Sequence, residues 1–292
     1  MLHHKIIISQ PFNEQYELVI ETNSKLIDNH MTSRTIMRYD FTVIRCNENE
    51  IECRLILLDL FLDQSNNDLV KEIAQVTAAF NRMFNELHLK LSQKGEILQV
   101  LNMDLVLSKW QQTKAEMTAA LSNNDELRKL IAVNDSLFTN KEKLAHTIQN
   151  SEFLHMYFGQ VFNIELPKTK RITGANILNT ANLEWDMNIS EQAGGHPDDI
   201  HILVNTYPVR PLSEGYLNAA YGQFKDRINL DLLNFTMFQK EERYIDRNTG
   251  KLKQAIVEKV EEIGHEQLYQ KFSYQMISDT EKKMQQKTTL IS

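Results

Sequence analysis

The feature that most restricts this chain is a strict alternation of apolar and polar residues in long runs. Met37, Tyr39, Phe41 and Val43 are separated by Arg38, Asp40 and Thr42. A period of two fits a pleated strand with one buried face and does not fit a helix, whose side chains repeat every 3.6 residues. The runs YELVIETNSKLI (16–27), TIMRYDFTVIRC (35–46) and EIECRLILLDLFL (50–62) are rich in β-branched and aromatic residues and predict an antiparallel meander. A second set closes the chain: LLNFTMFQKEERYID (232–246), GKLKQAIVEKVEEI (250–263) and EQLYQKFSYQMIS (266–278), with Leu268, Phe272, Tyr274 and Met276 in alternation.

Between these sets the period changes. After Asn66-Asn67, a capping pair, Leu69, Ile73, Val76, Phe80, Met83 and Leu87 fall at helical spacings of three and four. LHLKLSQKGEILQVLN (87–102) resumes alternation around a turn at Gln93-Lys94-Gly95. Residues 103–163 then read as helices, lined in turn by Val106, Trp110, Met117 and Leu121, by Leu127, Leu130, Ile131 and Leu137, and by Phe153, Leu154, Tyr157, Phe158 and Val161. The polar joins SNND (122–125), FTNKE (138–142) and QNSE (149–152) supply capping residues. Strand character returns from about residue 175 in ANLEWDMNIS (181–190) and DIHILVNTYPV (199–209), and SEGYLNAAYGQF (213–224) reads as a helix capped by Ser213.

Strands, a helical block and strands again define an α+β class, with a curved antiparallel sheet, an incomplete barrel, built from the two terminal meanders and cradling the central helices. We expect one domain over 1–292: N-terminal strands with one helix at 1–102, the helical block at 103–163, C-terminal strands with one helix at 175–278 and a polar, frayed tail at 279–292. At 292 residues the chain is long enough to bury a large core without staples.

Charge and cysteine content narrow the function. A net charge of −7 offers no basic footprint for nucleic acid, and the PKTKR cluster at 167–171 is too small to change that. The start, MLHHKIIISQPF, lacks a signal-peptide apolar region, and no run is long enough to span a bilayer. The expectation is a cytoplasmic protein with no membrane span, in which Cys46 and Cys53 are free thiols.

Chemistry-bearing motifs are sparse. The stretch AGGHPDDIH (193–201) holds two imidazoles and two carboxylates, so His196, Asp198, Asp199 and His201 are candidate ligands of a metal ion or members of a hydrolase site. Its Gly-Gly, Pro and Asp-Asp are also what a long hairpin loop requires, and His201 is expected at a pleat position beside Ile200 and Ile202. DRNTGKLK (246–253) has the Gly-Lys of a phosphate loop but places Leu252 where a hydroxyl is needed, so it reads as a turn with Gly250 at positive φ. Acidic pairs such as Glu241-Glu242 and Glu261-Glu262 are expected on solvent faces. No catalytic motif and no cofactor are implied.

What remains is binding. FLHMYFGQVF (153–162) carries aromatics over more than half of a helix circumference, which a buried helix explains, as does an exposed groove for a partner. Phe153, Met156, Tyr157, Phe158, Phe162, Trp110 and Met117 are the candidate binding residues, methionine making such a surface adaptable. The leading expectation is a non-catalytic adaptor or chaperone-like protein that holds another protein on the helical block and the concave sheet face. The alternative is a carrier of an apolar small molecule or lipid between sheet and helices.

The stretches YELVIETNSKLIDNHMTSRTIMRYDFTVI (16–44), LSQKGEILQVLN (91–102) and RYIDRNTGKLKQAIVEKVEE (243–262) resemble a class of uncharacterised bacterial proteins. In that class hairpins of an incomplete barrel flank a helical insert, similar in outline to lipoprotein-carrier proteins. The resemblance implies the fold and brings no catalytic residues with it.

Overall fold

The alternating runs become eleven strands: β1 Phe12–Leu26, β2 Asn29–Cys46, β3 Glu50–Ser65, β4 Glu86–Ser92, β5 Ile97–Val100, β6 Lys168–Ala175, β7 Asn182–Gln192, β8 Asp199–Pro208, β9 Phe235–Asp246, β10 Leu252–Ile263 and β11 Leu268–Ser278. This computed structural model describes residues 5–291 except 69, 72, 73, 75–80, 121–124, 194–196, 228–234, 265 and 266. All the strands pair antiparallel in the order β5-β4-β3-β2-β1-β11-β10-β9-β8-β7-β6. The end strands β5 and β6 do not meet, so the curved sheet stays open. The first and last meanders join where β1 pairs with β11, with Leu18 opposite Met276 and Ile20 opposite Tyr274.

Period two decides which side chains point inward. Tyr16 and Leu18 lie opposite Tyr39 and Met37, and Phe41 lies opposite Leu55, so one face of β1 to β4 is a continuous apolar floor. The helices are α1 Met103–Ala120, α2 Asp125–Phe138, α3 Lys141–Gln149, α4 Glu152–Phe158, α5 Glu214–Tyr221 and α6 Asp279–Ile291. Capping residues start several of them: the Asn140 side chain accepts from the N–H groups of Glu142 and Lys143, Ser151 from Leu154 and Ser213 from Tyr216.

Helix α4 lies on the apolar floor. The Phe153 ring packs 4.9 Å from that of Tyr39 and 5.1 Å from that of Phe41, while Tyr157 lies 4.8 Å from Phe41. Each fully buried ring stabilises the fold by about 2–3 kcal/mol relative to exposure. Below them the N-terminal isoleucines cross the sheet end, with Ile6 and Ile8 buried. The buried amide of Gln93 takes the place of a strand there, accepting from Ile8 N–H at 2.9 Å and donating to the Ile8 carbonyl at 2.9 Å.

The structure corrects several expectations. Strand character returns before residue 175, because PKTKR runs into β6 (Lys168–Ala175), a largely exposed edge strand with too few apolar residues to announce itself. The supposed frayed tail is α6, whose Lys282 bonds Glu17 at 2.7 Å and whose Thr280 hydroxyl donates to Glu14 at 2.7 Å. The third helix of the block stops at Phe158, and Val161 and Phe162 are buried in the following turn. Leu69, Ile73, Val76, Phe80 and Leu121 lie outside the described residues; Met83 is buried in a short 3-10 turn and Leu87 belongs to β4. Cys46 and Cys53 are free, as expected, and Cys46 pairs with Ile51 and Cys53 with Val43.

Candidate functional site

Two spaces open on the inner face, on either side of the start of α4. The first, of about 370 Å³, lies between the floor of β1 to β4 and the α3–α4 join. Its walls include Ile20, Met37, Leu55, Leu57, Leu60 and Phe84, closed above by Ile148 and Phe153. That volume falls within the roughly 300–1,000 Å³ of small-molecule pockets. Thr35, Tyr39, Asn81, Ser151 and Glu152 supply polar atoms at its rim. Burial, with the Glu152 charge nearby, pushes the Tyr39 phenol well above its usual range, so it stays protonated.

The second space, of about 330 Å³, is polar and is lined by Lys94, Asn150, Glu152, His155, Lys259 and Tyr274 among others. Asn150 and Glu152 border both spaces. Burial, the Lys259 charge and, beyond an opposing pull from Glu241, the Arg243 charge push His155 down to about 4, so its imidazole is neutral at pH 7. Its Nε2 is buried and has no hydrogen-bond partner among the described residues. Burial pushes the Glu152 carboxyl up and Lys259 pulls it partly back.

Under this polar space sits a buried ion pair. The Arg243 guanidinium, 0% exposed, donates from Nη2 to Glu241 Oε2 at 2.7 Å and from Nη1 to the Met156 carbonyl at the end of α4. Burial raises the Glu241 carboxyl, but the charge and hydrogen bond of Arg243, then His155 and Lys259, outweigh it and hold the group below its ordinary range. Gly159 ends α4 at φ +52°, and a Cβ there would fall 2.5 Å from Arg243 Nη2. Glycine is needed at 159 for backbone and for space alike.

A second buried carboxylate, Glu261, ties the far end of the sheet together. It accepts from Asn176 Nδ2 at 2.8 Å, Leu178 N–H at 3.0 Å and the Tyr221 hydroxyl at 2.6 Å. The acidic pairs expected on solvent faces therefore each send one member inward, because Glu241 and Glu261 share the inward parity of Met237 and Ile263 on their strands.

The sequence-derived binding residues are largely core. Trp110, Phe153, Met156, Tyr157, Phe158 and Phe162 are all buried, and Met117 is half-buried against them. Of the two readings of FLHMYFGQVF the buried helix holds and the exposed groove does not: sheet and neighbouring helices enclose the apolar circumference. Phe153 and Phe158 reach the two spaces as wall residues, while Trp110 stacks on Phe138 at 5.0 Å, away from both.

The candidates in AGGHPDDIH are not brought together. His196 lies outside the described residues. Asp198 is in an exposed turn, and Asp199 accepts from Lys253 Nζ at 2.5 Å. His201 takes the expected pleat position beside Ile200 and Ile202, on the outward face, and stacks on Tyr244 at 4.4 Å, with Glu242 at 3.6 Å. Arg247 straps the loop through the Pro197 and Asp199 carbonyls. Among the described residues no three His, Cys, Asp or Glu side chains gather as a metal site would require. The DRNTGKLK stretch is the expected turn: Gly250 has φ +71°, and a Cβ there would fall 1.9 Å from the Ile7 carbonyl oxygen.

No protein-family model and no curated protein matches the chain. A solved structure described as "Lipid-protein interactions in lipovitellin" is similar with a TM-score of 0.43 and 9% identity, over 92% of this chain. The match spans 25% of that much longer chain. A likeness this low carries no argument. No helix among the described residues is long and apolar enough to cross a membrane, which leaves strands out of account.

Proposed function

We propose that the protein is a non-catalytic carrier of an apolar small molecule or lipid chain, held between the inner face of β1 to β4 and the α3–α4 join. The observation that carries this reading is the 370 Å³ space walled by Ile20, Met37, Leu55, Leu57, Leu60 and Phe84. Ile20, Leu57, Leu60 and Phe84 in its walls are only half-buried, so an apolar ligand seated there removes their surface from water. Nile red, an uncharged apolar dye, is expected to bind with a rise in fluorescence, and Leu57→Trp, which fills the space, is expected to abolish it. Absence of dye binding by a folded wild type would defeat the reading.

A second reading, a cytoplasmic adaptor for another protein, moves to a different surface from the one the sequence suggests. Phe61, 46% exposed, lies opposite Ile36 on the outer face of the sheet. If that patch holds a partner, Phe61→Asp abolishes its capture and leaves dye binding intact; capture that survives the change removes this reading.

A further inference from the structure

We propose that the polar space beside α4 receives the oxyanion headgroup, carboxylate or phosphate, of an amphiphile whose chain lies in the apolar space, an inference that rests on the carrier reading. The two spaces are neighbours by construction. Ile20 on the floor of the apolar one and Tyr274 on the floor of the polar one are paired residues of β1 and β11, a single strand spacing of about 4.8 Å apart. Asn150 and Glu152 form the neck between them. A molecule passing beneath the start of α4 therefore leaves apolar walls and meets polar ones within a few bonds.

The polar walls are cationic although the chain carries a net charge of −7. Lys94 and Lys259 face the space, and Lys94 also borders an adjoining shallow polar depression with Lys5 and Lys168. Lys170 lies close enough to feel the charges of Lys168 and Lys94. None of these five lysines forms an ion pair with a described carboxylate, whereas Lys251, Lys253 and Lys282 all do. The carboxylates in the same walls are Glu152 at the neck and Glu165 in the adjoining depression. Glu241, beneath, is already matched by Arg243.

The two lysines supply the recognition. An ammonium donating to an oxyanion placed between Lys94 and Lys259 makes charge-assisted bonds about twice as strong as neutral ones. Uncharged chains would fill the apolar space but leave these lysines without a counter-charge.

Calorimetric titration of the full chain with lauryl alcohol, laurate, lauryl phosphate and inorganic phosphate tests this. Laurate and lauryl phosphate are expected to bind about tenfold more tightly than lauryl alcohol. The double variant Lys94→Met, Lys259→Met is expected to lose that preference while keeping its affinity for the alcohol. Equal affinity for alcohol and anions, or a preference that survives in the double variant, would overturn the headgroup site and leave the carrier reading standing. Inorganic phosphate bound as tightly as lauryl phosphate would also overturn it, since the site would then serve a free anion. If no chain-bearing compound binds, the carrier reading falls and this inference falls with it.

Discussion

The two halves of the inner face are built on opposite principles. Across β1 to β4 the inward positions are Tyr16, Leu18, Met37, Phe41, Leu55 and Leu89, and α4 closes over them with aromatic rings. Across β9 and β10 the same parity sets Glu241, Arg243, Lys259 and Glu261 among the buried Met237, Ile245, Ala255, Val257 and Ile263. The apolar half is held by area removed from water; the polar half is held by hydrogen bonds that each need a named partner. One open sheet thus presents an apolar trough and a charged one side by side, and the start of α4 divides them.

The largest break of this contrast comes from the buried pair. Arg243→Met leaves Glu241 buried and unpaired and the Met156 carbonyl without its donor, so it is expected to destabilise by about 4 kcal/mol in urea unfolding. The double change Arg243→Met, Glu241→Leu removes both charges and is expected to recover most of that loss. A double variant as unstable as the single one would mean that the pair contributes by its geometry and not by mutual neutralisation.

On the apolar side, Phe153→Ala empties the site of a fully buried ring and is expected to cost about 3 kcal/mol. Acid should separate the halves further. His155 has a folded-state value near 4 against an ordinary 6.5. Between these values the unfolded chain binds the proton more readily, so this contribution is complete above pH 6.5 and is lost as pH falls towards 4. The expected loss is about 3 kcal/mol, and His155→Phe should flatten that part of the stability profile. Tyr221→Phe removes one of three donors to Glu261 and is expected to cost about 1.5 kcal/mol. Phe61→Ala, on the outer face, should change stability by less than about 0.5 kcal/mol.

The apolar half was readable from sequence because alternation and burial coincide there. Met37 to Val43 announce a strand and its inner face at once, and Asn140, Ser151 and Ser213 mark helix starts through their own hydrogen bonds. The polar half was not, because its inward charges are explained only by partners distant in the chain. Arg243 meets Met156 across 87 positions and Glu261 meets Asn176 across 85. Reading by polarity sends such residues to solvent; reading by parity with Met237 and Ile245 would have turned them inward. The aromatic run at 153–162 allowed either a buried helix or a groove, since enclosure depends on how far the sheet curves. The apolar space itself is a difference between floor and cover, and no local pattern encodes a gap.

The most direct test of the central claim is methyl NMR of the full chain during titration with lauryl alcohol. The account predicts that Ile20, Met37, Leu55, Leu57, Leu60, Leu87 and Ile148, which wall the apolar space, shift together, while Ile44, Leu58 and Ile256, exposed elsewhere, stay in place. Shifts confined to the exposed residues, or none at all, would contradict it.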